Sequence, residues 1–296
     1  MTDIAGTASS GRDAFERLLV ELRPKLHRYC ARMTGSVIDG EDVVQEALMK
    51  AIKAFEGTQT IAHAERWLFR VAHNAALDFL RRRARAEAAR SNEDPDMLVD
   101  PNGTHDDPEI VTTSLRTFMR LPTAQRSSVI LMDVLGYSLA EIGGIMDESV
   151  PAVKSALHRG RTRLRELARE PEDLPQPALS DPERSLLAAY VDRFNARDFD
   201  AVRDMLADEV RLELVARTRM NGRRQVDGYF HNYSILSWRV RAGFVDDAPA
   251  VLVYDPARTT DAPAYFILLR WIDRKVVSIR DFRYAPYAIE GARLLQ

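Results

Sequence analysis

Apolar residues in the first half of the chain recur every three or four positions, which is the spacing of helices packed on one side. Over residues 13–33, 39–55 and 64–90 they fall on one stripe of each predicted helix. The spacing predicts a helical domain over residues 10–90. Helical periodicity returns in a second predicted domain, 108–170.

The second helical domain ends in a distinct pair of helices. Ser138 and Glu141 form the pattern of a capping box that opens a short helix, and Ser149 can cap the helix that follows. The apolar stripe of the second helix comprises Val150, Val153, Leu157, Gly160, Leu164 and Leu167. Its opposite face carries Lys154, His158, Arg161 and Arg165. A short helix, a tight turn and a basic helix predict a helix-turn-helix, whose second helix lies in the major groove of DNA. The alternative is an ordinary helix pair with a solvated basic face.

The pattern changes after a proline-containing segment, 171–181, which is a predicted linker. Two helical stretches cover residues 183–208, and a strand at 210–216 and a short helix at 222–233 follow. Runs of alternating or continuous apolar residues then predict further strands. Residues 182–296 therefore form a predicted α+β domain with a curved antiparallel sheet.

Composition limits the class of protein. The 296 residues are 46% hydrophobic and 29% charged, as in soluble multidomain proteins. No apolar run reaches membrane-spanning length and the N-terminus lacks the order of a signal peptide, so we expect a cytoplasmic protein without a membrane partner. The single cysteine, Cys30, excludes a disulfide within the chain. The sequence predicts no metal site and no cofactor.

Charge is distributed unevenly, although the net charge is only −2. Residues 70–90 contain six arginines, whereas residues 91–109 contain seven carboxylates and no lysine or arginine. This contrast predicts an acidic linker, 91–107, between two basic helical domains.

Three segments, in order, carry a family resemblance. They are "EDVVQEALMKAIKAF", "WLFRVAHNAALDFLRRRAR" and the helix-turn-helix stretch, and together they span about residues 13–168. The chain resembles a bacterial RNA polymerase sigma factor of the extracytoplasmic-function (ECF) group. Residues 181–289 resemble a SnoaL-like cone. The resemblance implies two all-α helical domains, the second with a helix-turn-helix, followed by an α+β SnoaL-like domain.

The family implies binding to core RNA polymerase and to a two-part promoter. Asp42, Gln45 and Glu46 share one helix face by their spacing. In the family this face docks on the clamp helices of the polymerase β′ subunit, and the β subunit is a further expected contact. Whether an anti-sigma factor also binds is left open.

The second segment is the expected reader of the opened −10 element, together with the loop from Glu56 to His63. The predicted contacts to phosphates and unstacked bases are Arg66, Arg70, His73, Asn74, Arg81, Arg82 and Arg83. Trp67 and Phe69 are predicted core residues because of their helical spacing, and Asp78 is a predicted ion-pair partner of a nearby arginine.

The helix-turn-helix is the expected reader of the −35 element. Contacts near the start of its second helix are predicted for Ser149, Ala152, Lys154, Ser155, His158 and Arg159. Phosphate contacts are predicted for Arg161, Arg163 and Arg165.

The cone fold implies an apolar pocket. Its predicted lining consists of Asp227, His231, Trp238, Trp271 and Asp281. In the alternative interpretation the aromatic rings fill the core and Asp281 pairs with Arg280 or Arg283.

The sequence thus predicts a transcription initiation factor, not an enzyme, whose C-terminal domain regulates it in cis. The alternatives are a stand-alone helix-turn-helix regulator, or an isomerase or cyclase with an ancillary DNA-binding half.

Overall fold

The computed structural model describes residues 4–56, 63–88, 113–170, 177–258 and 261–296. The predicted acidic linker, residues 171–176 of the predicted second linker and residues 57–62 of the predicted −10 loop lie outside these ranges. The chain divides into two compact units, residues 1–172 and 173–296.

The described part of the first unit is helical, as predicted. Its elements are α1 (Ile4–Thr34), α2 (Val37–Glu56), α3 (Ala64–Ala88), α4 (Leu115–Met119), α5 (Thr123–Val129), a π-helical turn (Ile130–Val134), α6 (Leu139–Met146) and α7 (Val150–Ala168). The α1 helix begins earlier than the apolar pattern indicated, while α2 and α3 lie close to their predicted bounds.

Helices α1 and α2 approach each other closely at Gly40. A Cβ atom at this position would lie 2.6 Å from the Cα of Ala31, a distance that side chains do not tolerate. Glycine is therefore required here so that the two backbones can meet.

The helices before and after the acidic segment share one hydrophobic core. This core extends from Phe15 and Leu26 in α1 through Phe69 in α3 to Ile142 in α6 and Leu164 in α7. The two predicted helical domains thus pack on each other within one unit.

The second unit contains helices followed by strands, as predicted. Its helices are α8 (Asp181–Asn195), α9 (Phe199–Asp204) and α10 (Arg223–Ser234), with a 3₁₀ turn at Pro286–Ile289. Its strands are β1 (Leu206–Leu214), β2 (Thr218–Asn221), β3 (Arg239–Val245), β4 (Ala248–Tyr254), β5 (Tyr265–Ile272), β6 (Lys275–Asp281) and β7 (Leu294–Leu295).

The sheet is mixed, whereas the sequence predicted an antiparallel one. The strand order is β2-β1-β6-β5-β4-β3-β7, and β1 runs parallel to β6. The other pairs are antiparallel. The parallel pair forms because β1 and β6 are far apart in sequence, so a long connection can bring them side by side in the same direction. Register shifts in β1–β6 and in β5–β6 bend the sheet.

Aromatic residues fill the concave interior of the second unit. Phe194 of α8 contacts Tyr233 of α10 edge to face, with 5.1 Å between ring centroids, and Phe266 stacks on Phe282 at 4.1 Å. These rings are almost fully buried. The prediction of an α+β domain with a curved sheet is confirmed.

Candidate polymerase and nucleic-acid interface

Helices α6 and α7 form a helix-turn-helix with the predicted caps. The Ser138 hydroxyl accepts a hydrogen bond from the Glu141 amide, and the Glu141 carboxylate accepts one from the Ser138 amide at 2.9 Å. Asp147 ends α6 in the left-handed conformation, with φ of 60°. The Ser149 hydroxyl then accepts from the Ala152 amide and opens α7. The turn is so tight that a Cβ on Gly143 would lie 2.8 Å from the carbonyl oxygen of Glu148, and glycine leaves this space open.

The apolar stripe of α7 is narrower than predicted. Val153, Leu157, Gly160, Leu164 and Leu167 are buried, together with Ala156. Val150 was expected in this stripe but is 44% exposed, because it lies in the first turn beyond the edge of the core.

The start of α7 presents the predicted −35 residues to solvent. Exposed positions are Ser149, Ala152, Lys154, Ser155 and Arg163, and half-buried positions are His158, Arg159 and Arg165. Arg161 differs from the prediction, since it forms a two-pronged ion pair with Asp133 in which its Nε donates at 3.0 Å. Its guanidinium therefore binds Asp133 and stabilises the domain, and it is not positioned to bind a phosphate.

The predicted polymerase-binding face lies on α2. Asp42 is exposed, while Gln45 and Glu46 are half-buried. The Glu46 carboxylate accepts hydrogen bonds from Arg82 and Lys50, both at 2.8 Å, and the Arg82 hydrogen bond holds the pKa of Glu46 below its usual value. One predicted polymerase contact and one predicted −10 contact are thus directly paired.

Helix α3 carries the predicted −10 residues on several sides. Arg66, Asn74, Arg81, Arg82 and Arg83 are exposed, and Arg70 is half-buried. Asp78 pairs with Arg81 and also with Lys50, which confirms its predicted ion-pair role. Phe69 is fully buried, and Trp67 is half-buried against the ring of Phe15, as expected of core residues.

His73 does not lie on the surface of this structure, contrary to the prediction. Its ring is 4% exposed, and its Nδ1 is 2.7 Å from the Tyr29 hydroxyl in a hydrogen bond. Burial lowers the pKa of His73 to about 4. The Tyr29 hydroxyl also donates to Ser127 of α5 at 3.3 Å, so this polar cluster joins α1, α3 and the later helices.

Arg126 of α5 is a second polar link that sequence reasoning missed. Its guanidinium is buried and donates to the carbonyl oxygens of Met33 at 2.5 Å and Leu121 at 3.0 Å. Burial lowers the pKa of Arg126 to about 10. No pattern in the sequence distinguishes this arginine from the exposed ones, because its partners are backbone carbonyls that become available only in the folded chain.

The predicted pocket residues of the second unit do not come together. Asp227 is exposed and pairs with Arg203, and His231 is exposed on the same helix, α10. Their helical positions point away from the sheet, which explains the wrong prediction. Trp271 packs on Tyr190, and Trp238 packs on Tyr265 with 5.1 Å between centroids.

Asp281 alone of that predicted set is fully buried. It accepts hydrogen bonds from the Tyr233 hydroxyl at 2.6 Å and the Arg283 amide at 2.8 Å. Tyr233 is also 2.7 Å from the Tyr265 hydroxyl. Burial raises the pKa of Asp281 above its usual value. Arg283 thus contacts Asp281 through its backbone, while Arg280 pairs with Glu213.

The helix-turn-helix of α6 and α7 is the arrangement of helical DNA-binding proteins. Comparisons with known families agree, since residues 18–86 match Sigma-70 region 2 and residues 115–164 match Sigma-70, region 4. The chain belongs to the ECF RNA polymerase sigma factors.

Two curated relatives illustrate the similarity. The ECF RNA polymerase sigma factor SigG of Mycobacterium tuberculosis is 31% identical over 232 residues, which cover 70% of this chain and 63% of SigG. RNA polymerase sigma factor CarQ of Myxococcus xanthus is 33% identical over 165 residues, covering 54% of this chain and 92% of CarQ. The chain thus spans just under two thirds of the length of SigG.

The second unit can be compared with a solved NTF-2 like protein of unknown function from Burkholderia xenovorans. The two share 20% identity with a TM-score of 0.28, over 34% of this chain and 80% of that protein. Within the described residues, no helix is long and apolar enough to cross a membrane.

Proposed function

We propose that this chain binds core RNA polymerase, directs it to a two-part promoter and helps to open the −10 region. The observation that carries the proposal is the presence of Sigma-70 regions 2 and 4, in that order along the chain. In addition, the start of α7, which holds the predicted −35 contacts, is exposed to solvent. In this scheme Asp42, Gln45 and Glu46 contact the β′ clamp helices. The chain itself performs no covalent chemistry, because the polymerase forms the phosphodiester bonds.

Electrostatics support the assignment of the two surfaces. The exposed carboxylate of Asp42 suits a basic partner protein, whereas Lys154 and Arg163 suit phosphates. The stand-alone regulator is the second candidate, and it offers no role for the face on α2.

The proposal is tested by adding the chain to core polymerase that lacks any sigma factor and mapping transcript starts. Defined starts are expected with the full chain. Asp42→Arg should weaken polymerase binding at least about tenfold, since charge reversal at a complementary interface is costly. Asp13→Arg, at an exposed carboxylate of α1, is the matched control and should leave binding unchanged. Absence of defined starts with the full chain would overturn the proposal.

We also propose that the second unit regulates the first in cis. A chain ending at residue 176, measured in the same assay, should differ from the full chain in promoter output or polymerase affinity. Equal values for both would contradict cis regulation and leave the initiation role intact.

A further inference from the structure

The edge of the second unit carries an arginine side chain that is surrounded by aromatic rings. Arg283 follows the end of β6, and its guanidinium carbon lies 5.6 Å from the ring centres of both Tyr233 and Trp238. The ring centre of Tyr284 is 5.9 Å from the same atom. We propose that this group binds a small organic acid, namely a planar aromatic molecule that carries a carboxylate. The proposal goes beyond the initiation role and is tested without polymerase or promoter DNA.

The Arg283 guanidinium has hydrogen-bond donors to offer. Within the described ranges of the chain it forms no ion pair and no side-chain hydrogen bond. The adjacent Asp281 carboxylate accepts from the Tyr233 hydroxyl and from the backbone amide of Arg283, not from its side chain. The neighbouring arginine of β6, Arg280, is paired with Glu213. Because unpaired N–H donors are costly where water is partly excluded, the half-buried Arg283 suits an anion from outside the chain.

The backbone that carries Arg283 is held on both sides. The Arg283 amide donates to Asp281 at 2.8 Å, and the Ala285 amide donates to the carbonyl oxygen of Phe282 at 2.9 Å. Phe282 is fully buried and stacks on Phe266. Since the position of Arg283 is fixed before any ligand arrives, binding loses little backbone entropy.

Trp238 and Tyr284 form the walls of the site. The half-buried Trp238 ring packs on Tyr265 with 5.1 Å between centroids, and Arg197 donates to the Trp238 carbonyl oxygen at 3.1 Å. Tyr284 is 38% exposed, and the Arg217 guanidinium carbon lies 4.2 Å from the centre of its ring. Accessible rings beside a cation can stack on a flat ligand while the guanidinium binds its charge.

The chemistry of these groups favours a carboxylate on a flat apolar ring. The planar fork of a guanidinium matches the two oxygens of a carboxylate and donates to both. The exposed Arg217 adds attraction for an anion and repulsion for a cation. Buried rings such as those of Phe194 and Phe230 fill the interior of the unit, so the ligand lies at its edge and is small.

Binding is measured on the full chain by calorimetric titration with 2-naphthoate. The neutral amide of the same ring system, 2-naphthamide, should bind at least about tenfold more weakly, because it cannot form charge-assisted hydrogen bonds with Arg283. Arg283→Gln should weaken 2-naphthoate binding at least about tenfold for the same reason. Arg224→Gln is the matched control, since this exposed arginine lies at the opposite end of α10 from Tyr233, and it should leave binding unchanged.

The location of the ligand is measured by fluorine NMR on the full chain. The chain contains three tryptophans, Trp67, Trp238 and Trp271, so labelling with fluorotryptophan gives one signal for each. Trp238→Phe and Trp271→Phe assign these signals. Addition of 2-naphthoate should shift the Trp238 signal and leave those of Trp67 and Trp271 in place.

Two further variants keep the test valid if Arg283→Gln does not fold. Tyr284→Ala removes a partly exposed ring and should weaken 2-naphthoate binding by about three- to tenfold, as expected for loss of an aromatic contact. Arg283→Lys keeps the charge without the planar fork, so its affinity should lie between those of the parent chain and Arg283→Gln.

Three results would overturn the proposal. The first is equal affinity of the parent chain and a folded Arg283→Gln chain, or of the parent chain for 2-naphthoate and 2-naphthamide. The second is a shift of the Trp271 or Trp67 signal without one of Trp238. The third is the absence of 2-naphthoate binding to the parent chain up to the solubility limit of the ligand. None of these results depends on polymerase, so the proposed function is tested separately.

Discussion

Helices α3 and α7 both carry a stripe of apolar residues with arginines around it, yet the two helices pack differently. The buried residues of α7 span an arc of about 100° around the helix, at 100° per residue. Those of α3, which include Phe69 and His73, span about 160°. Helix α7 packs along one side, whereas α3 is covered from two sides, by the other early helices and by the helix-turn-helix.

The difference shows that a basic helix is available to DNA only if nothing else in the chain covers it. In α7 the start of the helix remains open, with Lys154 and Ser155 exposed. In α3 the extra buried edge brings Arg70 to Asp147 and His73 to Tyr29. Phe69 and His73 form this second buried edge of α3. Experiments can test whether it is a true core contact and whether the start of α7 is accessible.

The largest effect is expected from Phe69→Ala, which removes the centre of the second edge. Deleting a fully buried phenylalanine should cost about 3–5 kcal/mol. Amide hydrogen exchange on the full chain should quicken in α3 and also in α6, because Phe69 contacts Tyr137. Leu164→Ala is the matched core truncation on α7, and its effect should be greatest in α5, α6 and α7. Protection in α6 that is unaffected by Phe69→Ala would show that the two helices do not share this contact.

The sequence predicted the burial of Phe69 in α3 but not that of His73. Leu68, Ala72 and Ala75 follow the spacing of one partner, and Phe69 was correctly placed in the core. His73 was assigned to DNA because histidine is polar and stands among arginines. Its burial depends on Tyr29, which is 44 residues away in sequence, and no local pattern reports such a contact.

The sequence patterns around α7 predicted its structure better, because the residues that form them lie close together in the chain. The capping box at Ser138 and the cap at Ser149 depend on residues within three positions, so they were predictable. The Arg161–Asp133 ion pair and the parallel pairing of β1 with β6 join distant parts of the chain, and both were missed. In the second unit, Asp281 was identified, but its hydrogen bond to Tyr233 crosses from β6 to α10.

A pH dependence should follow from the burial of His73. Its pKa is about 4 in the folded chain, below its ordinary value of 6.5. Between these values the unfolded chain binds a proton that the folded chain does not, so stability falls as the pH is lowered from about 6.5 to 4. The full loss is up to about 3 kcal/mol in the first unit.

Exchange rates of α3 amides at pH 7 and pH 5, corrected for intrinsic chemistry, measure this dependence. His73→Gln keeps a polar side chain without a titrating group and should flatten the difference between the two pH values. An unchanged pH dependence in His73→Gln would mean that other groups are responsible, and that α3 does not exclude water at its second edge.

The smallest effect should separate two arginines of α7 that the sequence treated alike. Arg161→Gln leaves the largely buried Asp133 carboxylate without its charged partner and should cost about 1–3 kcal/mol in the helix-turn-helix. Arg163→Gln, at an exposed site where the arginine pairs with Glu166, should change stability by less than about 0.5 kcal/mol. Duplex DNA binding over a range of salt concentrations gives the opposite order, because Arg163→Gln should reduce the salt dependence by about one phosphate contact and Arg161→Gln should not. If both variants lower the salt dependence equally, Arg161 exchanges Asp133 for phosphate on binding.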